Sequence, residues 1–339
     1  MEAICDVGES TQRMTYRVAD QSLVVEAQEK WAAEAIEQLF TGWYLSRETA
    51  PQEIPTPPAI VIRNGAERPE IPDDWPKFDV PGDGVCHSSG ETSYIEIEGS
   101  ILAIGNAQEA IRVWTNGVLE INSSALTRVV TYALGAALRR RRLFELHSGA
   151  VIEPKSGRGI LIIGPSGSGK STLTIQLAAA GWPFVTDDVL LLSAAGDAVR
   201  AWSARRCFAI TSETFASSTF LRAQTSLEHM RIQPDEKRQF APRGVFQSEF
   251  SEQCVPGTMF FSEVSGGERS SVLPLSASEA MARLIRINPW SCYDRISAPD
   301  HLATLSALVK QSRGYSLQAG KDILEPENAS NLIERYARD

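Results

Sequence analysis

The sequence predicts an α/β (α+β) protein: a C-terminal P-loop domain, residues 123–339, behind a smaller N-terminal α+β domain, residues 1–122. Three observations carry this. Residues 164–171 read Gly-Pro-Ser-Gly-Ser-Gly-Lys-Ser and fit G-x-x-x-x-G-K-[ST] at every fixed position. The octet is preceded by the apolar run Gly159-Ile-Leu-Ile-Ile and followed by a helical stretch, Ser171 to Ala180, that stops at Gly181. Strand, glycine loop and helix is the context that the motif requires. The first 122 residues carry no comparable motif, only short apolar runs separated by turn signals.

In chain order, Tyr16-Arg-Val-Ala and Ser22-Leu-Val-Val-Glu read as strands around a turn, and Lys30 to Phe40 as a helix with Trp31, Ala35 and Leu39 at four-residue spacing. The prolines of 49–58 mark a linker, Ala59-Ile-Val-Ile-Arg is a strand, and Pro69, Pro72, Pro76 and Pro81 make Glu67 to Gly90 loop-rich. Strands follow at Ser93-Tyr-Ile-Glu-Ile-Glu, Ser100-Ile-Leu-Ala-Ile and Ala110-Ile-Arg-Val-Trp, with Val118-Leu-Glu-Ile as a fourth candidate, so the N-terminal sheet is expected to be mainly antiparallel. Ser123 or Ser124 caps a helix running to about Arg142, whose stripe of Leu126, Val129, Val130, Ala133, Leu134, Ala137 and Leu138 faces a core. Its closing run, Arg139 to Arg142, reads as a solvated helix end that suits the helix dipole.

Beyond it, His147-Ser-Gly-Ala-Val-Ile and Ile160 to Ile163 are strands joined by the turn Glu153 to Gly159, an expected antiparallel hairpin. Strands at Val199 to Trp202 and Met259-Phe-Phe come next. Three helices close the chain: Ser276 to Ile287, opened by the capping box Ser276-x-x-Glu279, then Pro299 to Ser312 and Glu327 to Ala337.

Composition narrows the class. At 339 residues, 43% hydrophobic and 22% charged, the chain can bury the cores of two domains. A net charge of −9 argues against nucleic acid as a partner. Cys5, Cys86, Cys207, Cys254 and Cys292 are scattered and lack C-x-x-C spacing, which disfavours a disulfide framework or a structural zinc site. Cys86-His87 reads as part of a surface loop rather than a metal pair. The N-terminus lacks the pattern of a signal peptide and no apolar run approaches a bilayer span, so the expectation is a cytoplasmic protein with no membrane partner.

The chemistry concentrates around the octet. Gly164, Gly167 and Gly169 let the backbone approach an anion, and the loop residues Gly164, Pro165, Ser166, Gly167, Ser168 and Gly169 with Lys170, Ser171 and Thr172 form a candidate ATP site. Lys170 would reach the β/γ-phosphates, and the Ser171 hydroxyl would hold Mg²⁺. Thr186-Asp187-Asp188 follows the apolar run Trp182 to Val185, where a Mg²⁺-binding carboxylate belongs in such a domain. One carboxylate then serves the metal, and its neighbour is available to accept a proton from an attacking hydroxyl. His147 opens the strand ahead of the loop, and the hairpin brings it toward the Asp pair.

His147-Ser-Gly-Ala-Val, Gly164-Pro-Ser-Gly-Ser-Gly-Lys-Ser-Thr and Phe184-Val-Thr-Asp-Asp-Val together resemble the HPr serine kinase/phosphorylase family. The likeness is to its divergent HPr kinase-related branch, which includes serine kinases of ribosomally made peptides such as lasso-peptide precursors. It covers about residues 145–193 and continues weakly through Lys237, Met259-Phe-Phe and the segment from Pro274 to Leu284. The resemblance implies a catalytic domain similar to phosphoenolpyruvate carboxykinase. It implies Asp187 as proton acceptor, Asp188 and Ser171 as metal ligands, Lys170 as phosphate-binding lysine and His147 as an active-site histidine. Lys237 would match a downstream phosphate- or substrate-contacting lysine, with an exposed loop lysine as the alternative. Arg205, Arg206, Arg238 and Arg243 are further candidates for neutralising transition-state charge. Where the bifunctional members usually carry Asp after the first loop glycine, this chain has Pro165, so the likeness implies a dedicated kinase.

Three functions fit these residues. The first is an ATP- and Mg²⁺-dependent kinase acting on a Ser of a peptide or small protein, with the N-terminal domain as a docking or structural accessory and a homo-oligomer as one possible assembly. The second is a kinase of the same fold acting on a small-molecule hydroxyl. The third is a nucleotide-binding regulatory module with little turnover, which would not need the second carboxylate.

Overall fold

The computed structural model describes residues 11–40, 45–48, 57–64, 68–80, 84–105, 109–115, 124–196, 198–204, 208–224, 231–232, 238–240, 242 and 245–337. The chain forms two compact units, Met1–Arg141 and Arg142–Asp339.

The first unit contains β1 (Gln12–Val18), β2 (Gln21–Ala27), α1 (Lys30–Leu39), β3 (Ser46–Arg47), β4 (Ile60–Asn64), β5 (Lys77–Val80), β6 (Gly84–Ser89), β7 (Thr92–Ile97), β8 (Ser100–Ile104), β9 (Ile111–Thr115) and α2 (Ser124–Arg140). Its sheet has the order β3-β1-β2-β4-β9-β8-β7-β6-β5. It is mainly antiparallel, as expected, with parallel pairing only at β2–β4 and β4–β9. Helix α1 supplies the crossover from β2 to β4 that a parallel pair demands. Met14, Tyr16, Leu23, Val25, Ile60, Ile62, Ile111, Val113, Leu102 and Ile95 recur at alternate positions and are all buried.

Helix α2 lies in this unit, so the division falls at 141/142 and not at the expected 122/123. Its apolar stripe packs on β8 and β9. Two local expectations change. The stretch from Glu67 to Gly90 is not all loop, for Lys77–Val80 and Gly84–Ser89 pair as strands between its prolines. Cys86 and His87 are therefore buried strand residues, and His87 Nε2 lies 3.3 Å from Glu96 Oε2. Of the arginine run only Arg142 is exposed, so the first three residues are not a solvated end. Arg139 is buried, Arg140 donates to the Gly105 carbonyl, and Arg141 donates to the Ala137 carbonyl. Burial lowers the Arg141 pKa from its ordinary value. Val118–Ile121 lie outside the described residues.

The second unit contains β10 (Phe144–Ile152), β11 (Gly159–Ile163), α3 (Lys170–Ala179), β12 (Phe184–Thr186), β13 (Val189–Ala195), β14 (Ala198–Ser203), β15 (Phe208–Ile210), α4 (Ser212–Ser217), α5 (Thr219–Arg222), β16 (Arg231–Ile232), β17 (Arg238–Phe240), β18 (Gln253–Cys254), β19 (Pro256–Val264), β20 (Ser271–Leu275), α6 (Ala277–Ile287), α7 (Trp290–Tyr293), α8 (Ala298–Gln311), β21 (Arg313–Ala319) and α9 (Pro326–Ala337). The large sheet runs β18-β14-β13-β10-β11-β19-β21-β20, with β12 also pairing β10. β10 and β11 form the expected antiparallel hairpin, while β11, β19 and β21 run parallel. The capping box opens α6, its Ser276 side chain accepting from Glu279 N and the Glu279 carboxylate accepting from Ser276 N.

Alternation along β11 divides the core. Ile160 and Ile162 join Leu173, Ile175 and Leu177 of α3 and Ala329 and Ile333 of α9 on one face. Leu161 and Ile163 join Ala280 and Leu284 of α6 and Leu305 and Leu308 of α8 on the other. A strand buried on both faces reads as a continuous apolar run, which is why Ile160 to Ile163 has no polar alternation. Each of these Ile and Leu side chains contributes roughly 1.5–3 kcal/mol by leaving water.

Helix α3 sits unusually close to β10. A Cβ added at Gly149 would lie 2.2 Å from Thr174 Oγ1, and that hydroxyl is already committed to the Lys170 carbonyl at 2.9 Å. Gly149→Ala is therefore expected to destabilise the second unit by about 1–3 kcal/mol, as overpacking does. In a Thr174→Ala background, the same change should cost less. Chemical denaturation of the four proteins of this cycle gives the coupling, and simple additivity would contradict the close approach.

Candidate active site

Strand β11 ends at Ile163 and α3 begins at Lys170, so loop 164–169 spans the gap between a buried strand and a helix N-terminus. Gly167 and Gly169 have φ of +79° and +86°, in the left-handed region that glycine adopts without strain. Gly164 is required for a different reason: a Cβ there would lie 2.5 Å from Ser168 Oγ and 2.7 Å from the Ser262 carbonyl. Such a loop directs backbone N–H groups to one side, as an anion needs. Ser262 holds the far wall, its hydroxyl donating to the Ser168 carbonyl at 2.8 Å. The parallel β11–β19 register, which pairs Ile163 with Phe261, sets Ser262 beside Gly164.

Lys170 is buried at 8% exposure, and its Nζ donates to the carbonyls of Gly164 and Pro165 at 2.9 Å each. The lysine thus folds over the loop it follows, with its charge on the concave side. Pro165, Ser166 and Gly167 are exposed at the tip. Ser168 is buried, and Ser171 and Thr172 are half-buried on the first turn of α3.

On the other side of β11, strand β10 pairs with both β12 and β13. The two residues between those strands are Asp187 and Asp188. Asp187 is buried at 1% exposure, and its Oδ2 accepts from the backbone N–H of Ala209 at 3.0 Å. Its carbonyl lies 3.5 Å from Ser171 Oγ, a long contact that ties the carboxylate turn to the phosphate-loop helix. Asp188 is half-buried; its Oδ1 lies 3.6 Å from His147 Nδ1, and its carbonyl accepts from Ser148 N at 2.9 Å.

Each residue of His147-Ser-Gly therefore has a separate task. His147 reaches Asp188, the Ser148 hydroxyl donates to the Ile162 carbonyl at 3.0 Å, and Gly149 admits α3. Hydrogen bonding with Asp188 raises the His147 pKa above its ordinary value, with the Asp188 charge adding to the shift, while partial desolvation and the Lys170 charge oppose it.

The structure brings His147, Asp187, Asp188, Lys170 and Ser171 together beside the central strands β10 and β11. Lys237, Arg205, Arg206 and Arg243 lie outside the described residues, and of Arg238 only the backbone in β17 is described. Sequence reasoning did not identify Ala209, because its role is a backbone N–H. It also missed Ser262 and Thr214, whose hydroxyl lies 3.4 Å from that of Thr172. Ser262 was open to inference, since it continues the Met259-Phe-Phe strand toward the loop edge.

Among the described residues, no group of three or more His, Cys, Asp or Glu side chains is placed to hold a metal by itself. Mg²⁺ in nucleotide sites is typically held by one or two protein oxygens together with phosphates and water, so a hydroxyl and a carboxylate on adjoining elements suit it. Among the described residues, no helix is long and apolar enough to cross a membrane.

No protein-family model matches the chain, and no curated protein matches it. Among solved structures, it is similar to an Hpr(Ser) kinase/phosphatase from Coxiella burnetii, at 18% identity and a TM-score of 0.25. That alignment covers 34% of this chain, and the chain spans a little over half, 58%, of the other structure.

The His147–Asp188 contact is open to titration. The raised pKa means that its contribution to stability is fully present below the unfolded histidine value, about 6.5. The contribution is lost as pH rises through the higher folded value. NMR titration of the His147 ring is expected to give a midpoint above the ordinary value, and Asp188→Asn should bring it down. An unchanged midpoint in the variant would show that the two side chains do not interact in solution.

Proposed function

We propose that the chain is an ATP- and Mg²⁺-dependent kinase that transfers the γ-phosphoryl group to a Ser hydroxyl of a peptide or small protein. The observation that carries this reading is the register of β10. It holds the Asp187-Asp188 turn and His147 against the first turn of a glycine-loop helix whose lysine is folded into the loop. A phosphate-binding loop alone needs no second carboxylate, and phosphoryl transfer to a hydroxyl does. The resemblance of the three sequence segments to serine kinases supplies the acceptor class.

In this mechanism the loop N–H groups and Lys170 bind the phosphates. On substrate entry, the lysine exchanges its bonds to the Gly164 and Pro165 carbonyls for phosphate oxygens. Ser171 and Asp188 would hold Mg²⁺, which when bound would neutralise phosphate charge. The acceptor oxygen attacks the γ-phosphorus, the bond from that phosphorus to the β,γ-bridging oxygen breaks, and ADP leaves. The hydroxyl proton passes to Asp187. The Ala209 N–H pins one oxygen of this carboxylate, which fixes its orientation. His147, as a hydrogen-bond partner of Asp188, orients that carboxylate.

The test is transfer of label from γ-labelled ATP to Ser-containing peptides. Asp187→Asn should lower transfer by about 10²–10⁴-fold, the usual worth of a general base, with nucleotide binding retained. Lys170→Ala should weaken nucleotide binding as well. Transfer undiminished in Asp187→Asn would remove the base assignment. Label found only on a small hydroxylated metabolite would move the acceptor from peptide to small molecule. Binding without transfer to either acceptor would leave a regulatory module.

A further inference from the structure

A row of hydroxyls leads away from the phosphate loop from the first turn of α3. Thr172 follows the two residues assigned to the phosphates and the metal, on the same helical turn. Its Oγ1 lies 3.4 Å from Thr214 Oγ1, which lies 3.1 Å from Thr211 Oγ1. Thr211 is exposed and Thr214 half-buried, so both hydroxyls are within reach of solvent.

The two threonines belong to a short segment that is firmly seated on α3. Gln176 Nε2 donates to Ser218 Oγ, and the Phe220 ring stacks on Phe246 at 5.6 Å, within a cluster that also holds Phe208 and Phe184. The same segment begins at β15, whose Ala209 N–H holds Asp187. The hydroxyl row is therefore fixed relative to both the loop and the carboxylate turn, as a site built on a rigid frame requires.

We propose that Thr214, together with Thr211, binds the ribose diol of the nucleotide whose phosphates occupy loop 164–169. This rests on the nucleotide-binding reading above and extends it to the nucleoside.

The direction follows from the order of side chains. His147 and Asp188 mark the end where the γ-phosphoryl group reacts, Lys170 and Ser171 the β/γ region, and Thr172 comes next along the helix. A nucleotide extended along that order brings its sugar past Thr172 to Thr214. The chemistry agrees with a sugar rather than a further phosphate. The row is made of neutral groups that both donate and accept, the pattern a vicinal diol pairs with. The only ionisable side chain in the first turn of α4 is Glu213, an acid, which disfavours an anion and suits hydroxyl donors.

The experiment measures dissociation constants of the full-length protein, with Mg²⁺, for ATP, 2′-deoxy-ATP, 3′-deoxy-ATP and inorganic tripolyphosphate. The wild type should bind ATP about tenfold more tightly than at least one deoxy analogue, the size expected when one buried-side hydrogen bond to a sugar hydroxyl is lost. Thr214→Val should weaken ATP by a similar factor, leave tripolyphosphate unchanged and abolish the discrimination against the deoxy nucleotide. Thr214→Ser should restore both. Thr211 is left intact in these variants because its side chain accepts from Thr214 N and caps α4. Equal wild-type affinity for ATP and both deoxy analogues would overturn the ribose assignment while leaving the nucleotide reading in place. The analogue comparison requires no variant to fold. Wild-type protein that binds tripolyphosphate but shows no preference for ATP would overturn it too, and failure to bind either ligand would overturn the nucleotide reading along with it.

Discussion

The ladder of β10 is the constraint on which the second unit rests. Nine residues, Phe144–Ile152, hydrogen-bond to β11 along one edge and to β13 and β12 along the other. One edge leads into the phosphate loop and the other into the Asp187-Asp188 turn, while His147 rides on the strand itself. The separation of these groups is set by strand spacing, about 4.8 Å per strand, rather than by side-chain flexibility. A one-residue slip in this ladder would turn His147 to the other face and part it from Asp188. The slip is opposed by both faces, because Leu146 and Ala150 face one core and Val151 the other.

Hydrogen bonding around the loop is shared between local and distant partners. The local ones, from Lys170 to the Gly164 and Pro165 carbonyls and from Thr174 to the Lys170 carbonyl, come from the motif and the turn that follows it. The distant ones come from Ser262 on β19 and from Ala209 and Thr214 on the β15–α4 segment, neither of which the motif contains. The loop supplies phosphate chemistry in general terms, and the distant segments decide how it is oriented and what lies beside it.

The legible part of the fold follows that division. The β10–β11 hairpin, α3 and the capping box of α6 were readable because each is encoded by adjacent residues: a turn between apolar runs, a glycine octet, a Ser and Glu three apart. The parallel placement of β19 and β21 was not, since pairing across long connections leaves no local trace. The N-terminal sheet divides the same way: its hairpin-linked strands are antiparallel as their sequences suggest, while the parallel β2–β4–β9 centre, joined by long connections, left no trace. Prolines also misdirected, because Pro76 and Pro81 flank the paired strand β5 rather than exclude it. Of the site, His147, the loop and the Asp pair were visible as side-chain chemistry, whereas Ala209 contributes only backbone and Thr214 only a hydroxyl among many.

The Ser262–Ser168 bond carries a consequence for how the site comes into being. Its partners are 94 residues apart in sequence. The hairpin, the glycine loop and α3 can assemble from neighbouring segments while the chain is still short, but the wall beside Gly164 belongs to β19. Closing so long a connection is the slow kind of step in folding. During synthesis, the phosphate loop therefore emerges well before it is walled. The completed site marks a chain that has been made at least as far as β19.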